Sequence, residues 1–343
     1  MIRKLELLGF AAFEHVVLDL VPGINVFLGA NATGKTHAMK ALYSALRAVP
    51  KEGSSLELGA RLREKFARVF RPDDAQIGRL VQRRPGQGSA RIRILGSSGQ
   101  LGFSIYSKDS SIRIQKNDLE HVPSAIFLPS RELLAMYEGF IAAYQARELS
   151  FDETYFDGIV ALSASALRGP KPKPISGAME DLHKILGGHV VRQGDRFYLV
   201  GREGKLEAHL LAEGMRKLAS VTYLLANGSL SERGVLFWDE PEANLNPALV
   251  GGLADLLVNL AKTGMQIVVA THDYLFTRTL ALHSEQGASI RFFAFVRQDS
   301  GVIVTGASTP DELPENLIRD AFLTHYDRSR GVEDGAQTAG SRP

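Results

Sequence analysis

Gly29-Ala30-Asn31-Ala32-Thr33-Gly34-Lys35-Thr36 fits the pattern G-x-x-x-x-G-K-[ST], and the reading of this chain grows from it. The glycines let the backbone turn so that successive N–H groups face one centre. Ile24 to Leu28 ahead of it is a short apolar run suited to a buried strand. A helix is expected from about Lys35 to Val49, and its positive end would face the same centre. Gly29, Ala30, Asn31, Ala32, Thr33 and Gly34 would cradle a triphosphate. Lys35 would reach its β- and γ-phosphates, and the Thr36 hydroxyl would ligate Mg²⁺. ATP and Mg²⁺ are therefore the expected ligands.

Two hundred residues on, Leu236-Phe237-Trp238-Asp239-Glu240 is an apolar strand that ends in two carboxylates. A buried strand would deliver Asp239 to the sheet edge beside the loop, where it can hold the metal. Glu240 would then polarise an attacking water as general base. Adjacent strand residues point to opposite sides, so the two acids can have separate tasks.

The rest of the chain sets limits. It has 343 residues, 45% hydrophobic and 23% charged, with a formal net charge of +2 and no cysteine. This excludes disulfides, zinc–thiolate sites and a thiol nucleophile. The slight excess of base permits nucleic-acid contact without requiring it. No apolar run is long enough for a membrane span, and the N-terminus lacks a signal peptide's apolar block, so a cytoplasmic protein is expected. Strands are expected at Ile2 to Leu8 and Val16 to Leu20, and an antiparallel meander over 90–116. Helix is expected over 55–83, with Arg61, Arg63, Lys65, Arg68 and Arg71 on one face. The plain reading of that face is solvated charge; the alternative is a nucleic-acid patch. Further expectations are a strand at Ser124 to Leu128, mainly helix over 131–187 with a break at 169–174, and a hairpin over 189–209. Then follow a helix from Glu213, buried strands at Gly234 to Trp238 and Met265 to Ala270 flanking a helix over 247–262, and a strand pair over 290–305. A helix over 311–326 and a disordered tail from Asp327 close the chain. There is neither an internal repeat nor a sustained heptad run.

GANATGKT (29–36), LLAEGMRKL (210–218), FWDEPEANLNP (237–247) and VVATHDYLF (268–276), in that order, resemble the motifs of ABC-type ATPases. The "PGIN" entry to the loop and the DEPE wording are similar to the RecF/SMC/OLD-like branch of DNA-maintenance and defence ATPases. Transporter subunits usually carry DEPTSALD there. The resemblance implies an α/β P-loop NTPase: an ABC-type head with an antiparallel β subdomain and an inserted helical lobe. It implies that Glu213 and Gly214, at the start of the signature helix, contact the nucleotide of an opposite subunit. Ala212 stands where Ser is usual and Glu213 where Gly is usual, so one hydroxyl donor is missing and a carboxylate sits near phosphate. Asn246 lies at the D-loop where Asp is usual, and His272 matches the switch histidine. For the Q-loop, Ser130-Arg131-Glu132 is the positional candidate.

The expected division is an N-terminal ATPase lobe over 1–130, a helical lobe or lid over 131–205, a C-terminal ATPase lobe over 206–326, and the tail. The expected function is hydrolysis of ATP in a head-to-tail homodimer, or a higher assembly. The cycle would gate or scaffold a separate effector in DNA maintenance or antiphage defence. The alternatives are a nucleotide-binding subunit of an ABC transporter and a slow-turnover ATP switch.

Overall fold

The computed structural model describes residues 1–49, 55–299, 301–314 and 318–328. β1 (Ile2–Phe10) and β2 (Phe13–Asp19) form a hairpin, and β3 (Ile24–Leu28) follows with every residue buried. After the glycine loop come α1 (Lys35–Ala48), α2 (Ser55–Phe70) and the meander β4 (Ser89–Gly96), β5 (Gln100–Tyr106) and β6 (Ile112–Asn117). β7 (Ala125–Leu128) leads to α3 (Phe140–Gln145), α4 (Glu153–Ser163) and α5 (Lys173–Leu186). Three short strands follow, β8 (Gly188–Gln193), β9 (Arg196–Gly201) and β10 (Gly204–Glu207). The chain continues through α6 (Glu213–Ala226), β11 (Val235–Asp239), α7 (Val250–Lys262), β12 (Gln266–Thr271) and α8 (Tyr274–Glu285). It then forms β13 (Ile290–Gln298), β14 (Gly301–Ala307) and a helix over 318–328.

The central sheet has the order β14-β13-β3-β12-β11-β7, parallel throughout except for β14. Its register is what positions the site. Leu28 pairs with Thr271, and Ala270 pairs with Asp239. The segments that follow β3, β12 and β11 therefore leave the sheet side by side at one carboxyl edge, where open α/β sheets place their ligands.

Alternation along these strands feeds two cores. Val26, Leu28, Leu236, Trp238, Ile267 and Val269 face α5 to α8. Phe27, Phe237, Val268, Ala270, Phe293 and Phe295 face α1, α2 and the antiparallel sheet β2-β1-β4-β5-β6. A parallel sheet covered on both faces needs this nearly continuous apolar sequence. α1 lies in the second core, with ten of its fourteen residues buried, so the glycine loop is anchored to a rigid element.

Several expectations are corrected. The segment 55–83 is helical only to Phe70; past Pro72 it forms two short 3-10 turns. Pro72 removes a donor, and Asp74 adopts φ 53°, which no helix continues. The 189–209 segment is a three-stranded meander, because Gly201 and Gly204 turn the chain once more before Ala208. α5 starts at Lys173, with Pro174 in its first turn, where a missing N–H costs nothing. α8 was not anticipated. Residues 327–328 end the last helix, and residues 329–343 of the expected tail lie outside the described residues.

The basic face of α2 is partly spent inside the molecule. Lys65 pairs with Glu153 at 3.0 Å and Asp157 at 2.5 Å, and Arg68 reaches Glu153 at 3.4 Å, all on α4. On α1, Lys40 pairs with Asp152 at 2.8 Å, and the buried Tyr43 hydroxyl donates to Asp157. Burial and the neighbouring Asp157 carboxylate push the Tyr43 phenol well above its usual range.

Gln266 joins the two large sheets. Its side-chain oxygen accepts from the Ile2 N–H at 2.9 Å, and its amide donates to the carbonyls of Ile2 at 2.7 Å and Val21 at 2.8 Å. Gln266→Ala would take this partner from the buried N–H and C=O of Ile2, while the Val21 carbonyl keeps the Asn25 amide at 3.0 Å. The expected loss is about 2–4 kcal/mol in urea unfolding; an unchanged midpoint would refute this account of the joint.

Candidate nucleotide site

Sterics shape the glycine loop. At Gly29 (φ 152°) a Cβ would lie 2.4 Å from the Phe295 carbonyl, and at Gly34 (φ 90°) it would lie 2.7 Å from the Phe13 ring. Only glycine fits either place. The Lys35 ammonium donates to the carbonyls of Gly29 at 2.7 Å and Ala30 at 2.9 Å, and the Thr33 hydroxyl donates to Ala30 at 2.9 Å. No side chain caps α1, so its first-turn N–H groups point at the loop mouth without a capping partner. Burial pulls the Lys35 pKa down, while Asp239, Glu240 and Glu242 oppose that shift.

The parallel register brings Asp239 to the same place. The Thr36 hydroxyl donates to Asp239 Oδ2 at 2.9 Å across 203 residues of sequence. Burial raises the Asp239 pKa, countered by that hydrogen bond. A hydroxyl and a carboxylate oxygen this close form a hard donor pair suited to Mg²⁺, which keeps its remaining ligands as water or phosphate oxygen. With Lys35 and the uncapped α1 alongside, the residues present fit a metal-bound triphosphate.

Glu240 sits at φ 48°, a conformation that a non-glycine residue holds only under constraint. Its N–H donates to the Ala270 carbonyl at 2.9 Å, and its carboxylate lies 3.0 Å from His272 Nδ1. Directly beside this pair, Thr271 donates to Glu242 Oε1 at 2.5 Å, and the Asp273 N–H donates to the Thr271 hydroxyl at 2.9 Å. Asp273 in turn caps α8 by accepting from the Phe276 N–H at 2.6 Å.

Lys35, Thr36, Asp239, Glu240 and His272 thus gather at one edge. Glu213 and Gly214 do not join them. A Cβ at Gly214 would lie 2.5 Å from the Asn244 carbonyl, so α6 begins against the segment that follows the acids. Among the described residues, no hydrogen bond or ion pair links Glu213 or Gly214 to residues 29–36. Asn246 uses its side chain locally, accepting from the Ala248 N–H at 3.0 Å. Glu132 is buried against α6, 2.9 Å from Arg216 Nε.

Two participants were not singled out from sequence. Glu242 is 7% exposed, and burial pushes its carboxyl up to about 7. Lys217 is 3% exposed, with its pKa pulled down by burial. A lysine inside the apolar run of α6 and a second acid in DEPE were the available signals.

A family model described as "AAA domain, putative AbiEii toxin, Type IV TA system" matches residues 60–278, a span holding Asp239, Glu240 and His272. The L-cystine import ATP-binding protein TcyN of Bacillus subtilis is 32% identical over 35% of this chain and 41% of its own length. The histidine transport ATP-binding protein HisP of Pseudomonas aeruginosa is 25% identical over 61% of this chain and 80% of its own. The DNA replication and repair protein RecF of Mesorhizobium japonicum is 32% identical over 29% and 28%. Among solved structures, an Smc head bound to the C-terminal winged-helix domain of ScpA superposes with a TM-score of 0.57. It has 14% identity and covers 89% of this chain and 97% of that one. A Pyrococcus furiosus Smc head with an extended coiled coil, bound to the C-terminal domain of ScpA, gives 0.54 at 14% identity over 96% and 99%.

Two outcomes test the site. Lys35→Ala removes the only ammonium inside the loop, and titration calorimetry with Mg²⁺–ATP should show affinity at least ~100-fold weaker. Glu242 holds its proton up to about 7 when folded, against an ordinary 4.5. Between those values the folded chain binds more protons than the unfolded one, so this group lowers stability as pH rises through the window. Relative to wild type, Glu242→Gln should gain about 3 kcal/mol between pH 4.5 and 8 in urea titrations. A pH-independent difference would contradict the burial argument.

Proposed function

Since the chain belongs to the family described as "AAA domain, putative AbiEii toxin, Type IV TA system" and is a P-loop ATPase of the RecF/SMC/ABC type, we propose that it binds and hydrolyses ATP as a head-to-tail homodimer. The observation that carries this reading is the 2.9 Å contact of Thr36 with Asp239, beside Lys35 and the Glu240–His272 pair. Lys35 exchanges its two carbonyl partners for phosphate oxygens, which compete well for a buried ammonium. Thr36 and Asp239 hold Mg²⁺, which when bound neutralises charge on the phosphates. Glu240 accepts the proton of the attacking water, and His272 fixes the rotamer of that carboxylate. The rest of the catalysis is positioning and charge stabilisation.

The second copy enters because one chain does not supply its own signature contact. The start of α6, with Glu213 and Gly214, lies against Asn244 and Leu245, and no side chain caps it, so its first-turn N–H groups lack a capping partner. Two copies facing each other would let each helix end meet the other's triphosphate. Such a cycle suits gating or scaffolding of a separate effector in DNA maintenance or antiphage defence. The family description and the RecF resemblance support that role. No described helix is long and apolar enough to cross a membrane.

A second reading, the ATP-binding subunit of a transporter, is favoured by the transport proteins among the relatives. Retention of the chain with a membrane permease on purification would support it.

The decisive variant is Glu240→Gln, which keeps the hydrogen bond to His272 but cannot take a proton. With Mg²⁺–ATP it should run at twice the monomer mass in size exclusion with light scattering, and steady-state phosphate release should fall ~100-fold or more. A monomer at saturating ATP would refute the dimer, and undiminished release would refute the role given to Glu240.

A further inference from the structure

Lys217 is a charged group in a place that disfavours charge. It lies in the second turn of α6, 3% exposed, among buried Leu218, Ser220 and Val221. Among the described residues, its ammonium meets no carboxylate at ion-pair distance. It donates instead to two main-chain carbonyls, Glu240 at 3.0 Å and Ala243 at 2.9 Å. Burying an ammonium costs several kcal/mol, and an apolar side chain of similar volume commonly serves stability as well or better. A lysine held here therefore calls for a reason beyond packing.

The reason lies in what it grips. Glu240 is held at φ 48° from both sides: its N–H by the Ala270 carbonyl, and its C=O by Lys217 and by the Ala243 N–H at 3.2 Å. The turn continues with the Leu245 N–H on the Glu242 carbonyl at 3.0 Å. Without the lysine, the strained residue loses the charged half of its clamp. Its carboxylate, now 3.0 Å from His272, would be free to swing with a relaxing backbone. Lys217 also belongs to the helix whose first turn packs on Asn244, so the clamp joins the start of α6 and the acid-bearing turn into one body.

We infer that Lys217 is a positioning residue for hydrolysis: it locks the Glu240 turn onto α6, so that the base is aimed by the same helix whose end the proposed dimer uses. The inference rests on the ATPase reading above and assigns Lys217 no contact with the reacting atoms.

The test is Lys217→Met in the full chain, in wild-type and Glu240→Gln backgrounds. The readouts are steady-state phosphate release, Mg²⁺–ATP affinity by calorimetry, and a melting curve. In the wild-type background kcat should fall on the order of 100-fold, the loss expected of a base displaced by about 1 Å, while the ATP dissociation constant stays within about twofold. In the Glu240→Gln background the same change should lower the residual rate little further, because the residue it aims is already disabled. Equal factors in the two backgrounds, an unchanged kcat, or a parallel loss of ATP affinity would each overturn the inference. Should Lys217→Met not fold, Lys217→Gln provides the same comparison with a neutral donor. A wild-type protein that binds ATP without releasing phosphate would instead overturn the ATPase reading, and this inference with it.

Discussion

The step between neighbouring parallel strands is the constraint from which the site follows. β3, β12 and β11 end level because Leu28 pairs with Thr271 and Ala270 with Asp239. That register sets Thr36 against Asp239 and Glu240 against His272 without any long side chain having to search for its partner. A slip of one residue would turn Phe237, Val268 and Ala270 toward the opposite core, so the hydrophobic alternation that feeds two cores also guards the chemistry.

Much of this was legible because the informative signals are short. The glycine loop carries its own mechanism in eight residues. The apolar strand that ends in two acids has one sensible place in a parallel sheet. The histidine after the next strand is named only by the resemblance to ABC-type ATPases. What escaped the sequence is of a different kind. The pairing of β1 with β4 joins residues about ninety apart, and neither strand's composition names its partner. α8 is capped by Asp273 and buries Phe276, Leu280 and Ala281, but Leu275 and Leu282 are exposed and blur the apolar periodicity that would mark it in the sequence. Lys65 reads as solvated charge because its partner Asp157 lies 92 residues away. Lys217 read as part of a signature word, and only the fold shows that its ammonium ends on the carbonyls of another loop.

The ion pairs of α1, α2 and α4 bear on how the site is held. Lys40 and Thr36 lie one turn apart on α1, so the Lys40–Asp152 pair grips the helix just behind the loop. Asp152 also caps α4, accepting from the Thr154 N–H at 2.9 Å. Lys65, Glu153 and Asp157 continue the contact along α4. Exposed pairs contribute little, but these groups are largely desolvated and multiply bonded, and removing one member leaves another charge stranded. The segment between β7 and β8 is thereby fastened to the helix that carries the phosphate loop, and Glu132 with Arg216 fastens it to α6 as well. Motion of one of these helices relative to the sheet has to move or break charged contacts to the others.

The electrostatics of the α6 end then decide how strongly two copies would attract each other's nucleotide. Ala212 supplies no hydroxyl, and Glu213 places a carboxylate in the first turn. There it favours the helix through the macrodipole and opposes an approaching phosphate. Arg216, the nearest basic side chain, is turned back to Glu132 and to the Leu211 carbonyl at 2.6 Å. Lys217 is committed to the Glu240 turn. What remains for a trans phosphate is the row of free N–H groups, a weaker attractor than a helix end with hydroxyl and cation in place. In the proposed dimer, closure would therefore draw more on the loop, the metal and the D-loop packing than on the signature.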